Sequence, residues 1–282
     1  MKESIPSRTA LRVALWRASH QLLDHPKVLD DPLAVPIVGG AASEFPANTL
    51  RRHSRMARHF RAFMVARSRY AEDQLAASAA RGVDQYVVLG AGLDTSAYRG
   101  VALSGQSIFE VDHPDTQAWK RKCLQTAQIP IPPSMHFVSV DFEREELAAK
   151  LNAAGFRADR PAFFSWLGVV PYLTNEAAEH TFGFLGKLPG GSGVVFDYAV
   201  PRASLGFLER LALDALSRRV ARAGEPFRLF FTPEELDASL KRLGFRRLEH
   251  LGAKEINEKY FTGRKDGLRV AGAVGRIAGA WT

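Results

Sequence analysis

The stretch Tyr86-Val-Val-Leu-Gly-Ala-Gly-Leu-Asp-Thr-Ser-Ala-Tyr-Arg99 decides the fold. A short apolar run that ends in glycine predicts a buried strand. Gly90 and Gly92 then let the backbone come close to a ligand. Two features separate this loop from a dinucleotide-binding turn. Position 95 is threonine rather than the third glycine, and Asp94 would repel a phosphate. The pattern is a strand followed by a glycine-rich loop with no place for a pyrophosphate.

Working outward, strand and helix patterns alternate. After Tyr86–Leu89, strands are expected at Ser107–Asp112, His136–Asp141, Ala162–Leu167 and Gly193–Tyr198. Helices are expected between them at Thr116–Ala127, Arg144–Ala154 and Asn175–Leu188, with another at Ser204–Ala223. That rhythm implies crossover units and a buried, mostly parallel sheet. Thr232-Pro233-Glu234-Glu235 reads as a capping box with proline at the first helical position, and Gly244 stops that helix. Arg246–Leu251 and Leu268–Val274 could close the sheet as a final pair. Upstream, Arg8–Leu23 is helical with Ser7 as its N-cap, and His25–Pro36 is turn-rich. A further helix is expected from about Leu50 to Ala80, with a break because of its length. The chain divides on this reading into a helical region, 1–80, and an alternating core, 81–282, forming one integrated domain.

The 282 residues carry a formal net charge of +8, with 46% hydrophobic and 24% charged residues, an ordinary globular balance. Cys123 is the single cysteine, which excludes an internal disulfide and a cysteine metal cluster. No apolar run has the length of a membrane span, and the N-terminus lacks the features of a signal peptide, so a cytoplasmic location is expected. From Leu50 to Tyr70 there are seven arginines (51, 52, 55, 58, 61, 67 and 69) and no acid. Such a helix is either a solvated face or a surface for an anion. Met56, Phe60, Phe63 and Met64 look like its buried side.

In open parallel sheets, ligands bind beyond the carboxyl ends of the strands. The residues there are Gly90, Ala91, Gly92 and Asp94, then Asp112-His113, then Asp141-Phe142, then Leu167-Gly168-Val169-Val170-Pro171-Tyr172. Asp112 lies twenty residues after Gly92, at the end of the next strand, where a carboxylate binds ribose hydroxyls. Asp141 could bond an adenine amino group. Each acid alone could equally be a helix cap. Together they suggest a phosphate-free nucleoside that tolerates nearby carboxylates, which describes the sulfonium cofactor S-adenosylmethionine. Its carboxylate needs a cationic partner, and an arginine upstream of the loop could supply it.

These residues also carry a resemblance. Ser7-Arg8-Thr9-Ala10, Asp31-Pro32, Ala66-Arg67-Ser68-Arg69, the run Val88–Thr95 with Tyr98-Arg99, Phe109-Glu110-Val111-Asp112-His113-Pro114 and Val140-Asp141-Phe142 are similar to the leucine carboxyl methyltransferase family. The resemblance covers most of the chain. It implies an α/β fold of the class I methyltransferase type: a Rossmann-like sheet, mostly parallel with an antiparallel final strand, and an N-terminal helical cap over the active site. It implies S-adenosyl-L-methionine as cofactor, with Arg67 on its carboxylate and Arg69 as the rival. Gly90, Ala91 and Gly92 would pass the methionyl part. Asp112, with His113 beside it, would hold the ribose, and Asp141 and Phe142 would frame the adenine. Family members often carry Glu-Gly-Val-x-x-Tyr-Leu after the fourth strand. Here Leu167 stands where that glutamate would approach the cofactor's amino group, and backbone carbonyls near it would substitute.

The expected activity is O-methylation of a small, anionic acceptor. Aligning acceptor and donor supplies up to about 7–11 kcal/mol. A carboxylate, with a pKa of about 4, needs no base, whereas a phenol, at about 10, does. Tyr172 and His113 are the candidate catalytic residues. Tyr172 and Arg69 are the candidate substrate residues, and Arg51, Arg52, Arg55 or Arg58 could draw an anionic acceptor. Arg218, Arg219 and Arg222 read as a solvated helix end. No metal is expected, because the eight histidines show no paired ligand spacing. A nucleic-acid methyltransferase would have to use the basic charge without a recognised motif. A nicotinamide-dependent oxidoreductase would need the missing third glycine.

Overall fold

The computed structural model describes residues 8–39, 54–100, 105–222 and 224–282. Its helices and strands, in chain order, are α1 (Arg8–Leu23), α2 (Ala34–Gly39), α3 (Arg55–Ala79), β1 (Gln85–Leu89), β2 (Ser107–Asp112), α4 (Pro114–Thr126), β3 (Met135–Ser139), α5 (Leu147–Ala153), β4 (Phe163–Trp166), α6 (Asn175–Leu185), β5 (Gly193–Ala199), α7 (Phe207–Arg222), α8 (Pro233–Arg242), β6 (Arg247–Leu251), α9 (Ala253–Tyr260) and β7 (Gly275–Trp281).

The seven strands lie in the order β3-β2-β1-β4-β5-β7-β6. β1 to β5 are parallel, and β7 runs antiparallel to both its neighbours. This is the class I methyltransferase sheet that the resemblance implied. The strand order reverses at the β1–β4 junction, which opens a crevice at the carboxyl ends of those strands. Strand alternation sends side chains to two cores. Val87, Leu89, Phe109, Trp166 and Phe196 meet α5, α6 and α8 on one face. Tyr86, Val88, Ile108, Phe163 and Val195 meet α3 and α9 on the other. A third cluster joins α1 and α2 to Leu93, just after β1, and to Leu124 on α4.

The expected break in α3 is absent from its described part, which is one helix of 25 residues. It contains no glycine or proline, and its stripe Ala62, Val65, Ala66, Tyr70, Ala71 and Leu75 is buried along the sheet. Ser54 caps it by accepting from Ala57 N. Residues 50–53, including Arg51, Arg52 and His53, lie outside the described residues, as does Ser7. The turn-rich segment proves to contain the start of α2, with Pro36 in the first turn, where it displaces no hydrogen bond.

The last strand is a correction. Leu268–Val274 is not the closing strand; Gly275–Trp281 is, paired with β5 from Gly193↔Trp281 to Ala199↔Gly275. Leu268 and Val270 are instead buried in the core between α3 and α9. The true strand is rich in small residues, so its hydrophobic signal is weak. Gly193 and Gly279 leave room for the Trp281 ring, which a Cβ at either would meet at 2.4 Å. Helix α9 also escaped the sequence reading, because its N-cap, Gly252, has no side chain to announce it. The Thr232 capping box is present as read. Among the described residues, no helix is long and apolar enough to cross a membrane.

Candidate active site

A cavity of about 990 Å³ opens at the reversal point. Its floor is the glycine loop. Gly90 has φ +65 and Gly92 φ +48, so both occupy the left-handed region that favours glycine. Space enforces the choice as well. A Cβ on Gly90 would lie 2.2 Å from Val169 Cγ2, and one on Gly92 3.0 Å from Ala10 Cβ. Helix α1 therefore rests directly on the loop, and Thr9, Ala10, Val13, Ala14 and Arg17 line the cavity.

Asp94 is used differently from its sequence reading as a repeller of phosphate. Its Oδ1 accepts from Ser96 N at 2.8 Å, and its Oδ2 accepts from Arg17 Nη1 at 3.1 Å. Arg17 Nη2 also donates to Leu93 O. Burial pushes the Asp94 carboxyl up, but Arg17, Lys120 and Ser96 more than offset this and hold it below its ordinary range. Asp94 thus ties the loop to α1. Asp31 completes the tie, accepting from Thr95 Oγ1 at 2.7 Å and pairing with Arg99 Nε at 3.2 Å.

At the end of β2, Asp112 Oδ2 accepts from Gly92 N at 2.6 Å, and Oδ1 accepts from His113 N at 2.7 Å. Burial still raises its carboxyl above the usual value, with these bonds acting in the opposite direction. His113 is the N-cap of α4, its Nδ1 accepting from Asp115 N at 3.3 Å. Beyond β3, Asp141 Oδ1 accepts from Glu143 N at 3.0 Å. The Phe142 ring lies 6.2 Å from that of Trp166. Asp112, His113, Asp141, Phe142, Leu167 and Tyr172 all line the same cavity.

Arg67 reaches the cavity from α3 and is almost completely buried. Its Nη1 donates to Asp197 Oδ2 at 2.8 Å, while its Nε has no hydrogen-bond partner among the described residues. Gly168, at φ +74, presents its bare face to this guanidinium; a Cβ there would sit 2.9 Å from Nη2. An unpartnered donor in a buried cation fits the carboxylate end of the cofactor.

Arg69 does not join it. Two residues along a helix turn the side chain by about 200°. Arg69 instead donates Nε to Asp73 Oδ1 at 2.7 Å on the solvent side. Arg55 and Arg58 are not among the cavity residues either, and Arg61 is buried against Asp24. The expected anion-gathering arginine face is therefore not assembled by the described part of α3.

Tyr172 sits in a 3-10 turn, Val170–Tyr172, its ring 5.2 Å from that of Phe227. Burial raises its hydroxyl well above the ordinary tyrosine range, so it stays protonated. Beside it the segment between α7 and α8 brings in Glu225, whose Oε2 is buried without a hydrogen-bond partner among the described residues. The sequence reading missed Arg17, Asp197 and Glu225. Only Asp197 carried a signal, as an acid inside an otherwise apolar strand. Among the described residues, no group of three or more His, Cys, Asp and Glu could hold a metal ion.

Residues 10–186 match the family model described as leucine carboxyl methyltransferase. The chain is 31% identical to YktD of Bacillus subtilis over 95% of both chains; that protein is named as a candidate S-adenosyl-L-methionine-dependent methyltransferase. It is 36% identical to a similarly named protein of Parafrankia sp., over 61% of this chain and 56% of that one. A crystal structure of a candidate methyltransferase from Thermobifida fusca superposes with a TM-score of 0.60 at 16% identity, covering 100% of this chain and 96% of that one. A DUF574 family protein from Streptomyces avermitilis gives 0.57 at 17% identity, with 99% of each chain covered. At these identities the two solved structures speak for the fold. The family match and the full-length relative go further: the chain belongs to the leucine carboxyl methyltransferase family and is an S-adenosylmethionine-dependent methyltransferase.

Proposed function

We propose that the enzyme methylates an oxygen of a small molecule, a carboxylate in the first instance, by direct in-line transfer. The observation that carries this reading is the cavity itself. Its volume of about 990 Å³ is at the top of the range of roughly 300–1,000 Å³ for small-molecule sites, which suits a cofactor and an acceptor side by side. In this reading residues 1–80 act as a cap and 81–282 as the core that binds the cofactor. Bound there, S-adenosylmethionine supplies an already activated methyl group.

The chain's own residues hold and orient. Arg67 takes the carboxylate of the cofactor, and Gly90, Ala91 and Gly92 give its methionyl part room. Asp112 takes the ribose hydroxyls, with His113 fixing the turn beside it. Asp141 and Phe142 frame the adenine, and Leu167 forms an apolar wall. Tyr172, kept protonated by burial, is a hydrogen-bond donor at neutral pH and cannot remove a proton. A donor suits an acceptor oxygen that already bears negative charge, and a carboxylate is ionised without help. Helix α1 walls one side of the site through Ala10, Val13, Ala14 and Arg17.

One observation favours a second reading, transfer to a hydroxyl. Glu225 Oε2, without a partner among the described residues and at the same end of the cavity as Tyr172, could accept a hydroxyl proton. Calorimetry with S-adenosylmethionine, S-adenosylhomocysteine and NAD comes first; binding of NAD alone would end both readings. A labelled-methyl screen over small acids and phenols follows. A product hydrolysed by mild base is an ester and supports carboxylate transfer; a stable ether supports the hydroxyl reading. Glu225→Gln should abolish ether formation and spare ester formation.

A further inference from the structure

Asp197 lies on β5 two residues after Val195, so both point to the face that packs on α3. Its side chain is nine-tenths buried, as is that of Arg67. A carboxylate in such a place is expensive unless it is paired and hydrogen-bonded. Asp197 is both, but in an unusual division. One oxygen, Oδ1, accepts from the backbone N of Gly168 at 2.6 Å. The other, Oδ2, accepts from Arg67 Nη1 at 2.8 Å.

That division has a consequence for Arg67. A carboxylate facing arginine normally takes two parallel N–H donors at once. Arg61, on the same helix, shows the arrangement: its Nε and Nη2 grip the two oxygens of Asp24 at 2.6 and 2.7 Å. Asp197 divides its oxygens instead: Oδ1 turns to Gly168 and Oδ2 alone meets Arg67. It holds Arg67 by a single tooth, at Nη1, and the Nε–Nη2 edge keeps no hydrogen bond to the described residues. Gly168 presses on the other side of the guanidinium, within 2.9 Å of Nη2 at its would-be Cβ.

We propose that Asp197 is the positioning residue for the amino-acid end of the cofactor: it orients Arg67 through Nη1 and leaves the two-pronged edge open for a second carboxylate. The same carboxylate pins the Leu167–Gly168 turn, so strand β5 sets both walls of that corner. This inference rests on the reading that Arg67 binds the cofactor's carboxylate.

The test compares two ligands on the full chain. S-adenosylhomocysteine carries the amino-acid end, and 5′-methylthioadenosine lacks it. Wild type should bind the first at least 10-fold more tightly. Asp197→Asn should weaken S-adenosylhomocysteine at least 10-fold while methylthioadenosine changes by less than two-fold. In an Arg67→Met background, Asp197→Asn should add nothing further, because its effect runs through the lost guanidinium. Equal loss of both ligands, no loss of either, or full additivity with Arg67→Met would overturn the role of Asp197 while leaving that of Arg67 intact. If instead Arg67→Met leaves the wild-type preference unchanged, the reading of Arg67 fails and Asp197 falls with it. Asp197→Glu, which keeps the charge and moves it by one methylene, carries the same comparison if the asparagine variant folds poorly; its expected signature is a smaller, still ligand-selective loss.

Discussion

Two arginines of α3 are both sealed inside the protein, and they differ in how their hydrogen bonds close. Arg61 meets Asp24 with two parallel bonds, and Asp24 Oδ2 also accepts from His20 Nδ1 at 2.8 Å. His20 Nε2 accepts from the backbone of Val28 and Leu29, which fixes the proton on Nδ1. That network ties α1, the following turn and α3 into one body, and none of its side chains lines the cavity at the glycine loop. Arg67 meets Asp197 with one bond, beside the cavity, and its Nε stays unsatisfied among the described residues. The difference teaches that burial of a charge does not tell structure from function; the completeness of its hydrogen bonding does.

The largest expected effect comes from opening the closed network. Arg61→Ala leaves Asp24 charged and buried, and should lower stability by about 3–5 kcal/mol in urea unfolding. Its S-adenosylhomocysteine affinity, measured where the variant is folded, should match wild type; a selective loss of affinity would break the contrast with Arg67. Next is Gly168→Ala. The left-handed backbone alone costs about 1–2 kcal/mol, and the new methyl displaces the Arg67 guanidinium. A loss of S-adenosylhomocysteine affinity of about tenfold, some 1.4 kcal/mol, is expected by calorimetry.

A smaller effect concerns pH. Burial raises the Asp24 carboxyl, but hydrogen bonds from His20 and Arg61 overcome this and leave it below the ordinary aspartate value. Its contribution is therefore complete above the unfolded-state pKa of about 3.9, and is lost as pH falls through the lower folded value. Wild type should lose stability below about pH 4, and Asp24→Asn should show a shallower fall across the same window by urea midpoint. Last, Arg69→Ala removes a solvent-side pair with Asp73 and a long hydrogen bond from Nη1 to Val28 O. Its effect should be about 0.3–0.5 kcal/mol on stability, with cofactor affinity unchanged. A clear loss of cofactor affinity in that variant would return Arg69 to the site.

Much of this was legible along the chain. Periodicity placed β2 at its observed limits, and the Thr232 capping box marked α8 before any tertiary contact was known. The glycine loop with Asp112 twenty residues on pointed to a nucleoside, because φ preference and strand-end position are local properties. Local signals failed where small residues carried the structure. The closing strand Gly275–Trp281 was passed over for the more hydrophobic Leu268–Val274, and α9 had no capping side chain to mark it.

The amino-acid sequence by itself determined the alternating sheet, the loop and the family, since each is written within a few neighbouring residues. Tertiary structure decided which arginine lines the cavity, what Asp94 ties together, and what holds the corner beside Leu167. Arg67 and Asp197 are 130 positions apart, and Arg17 and Asp94 are 77 apart. Long, flexible side chains take their direction from what packs around them, and only the folded sheet brings those partners within reach.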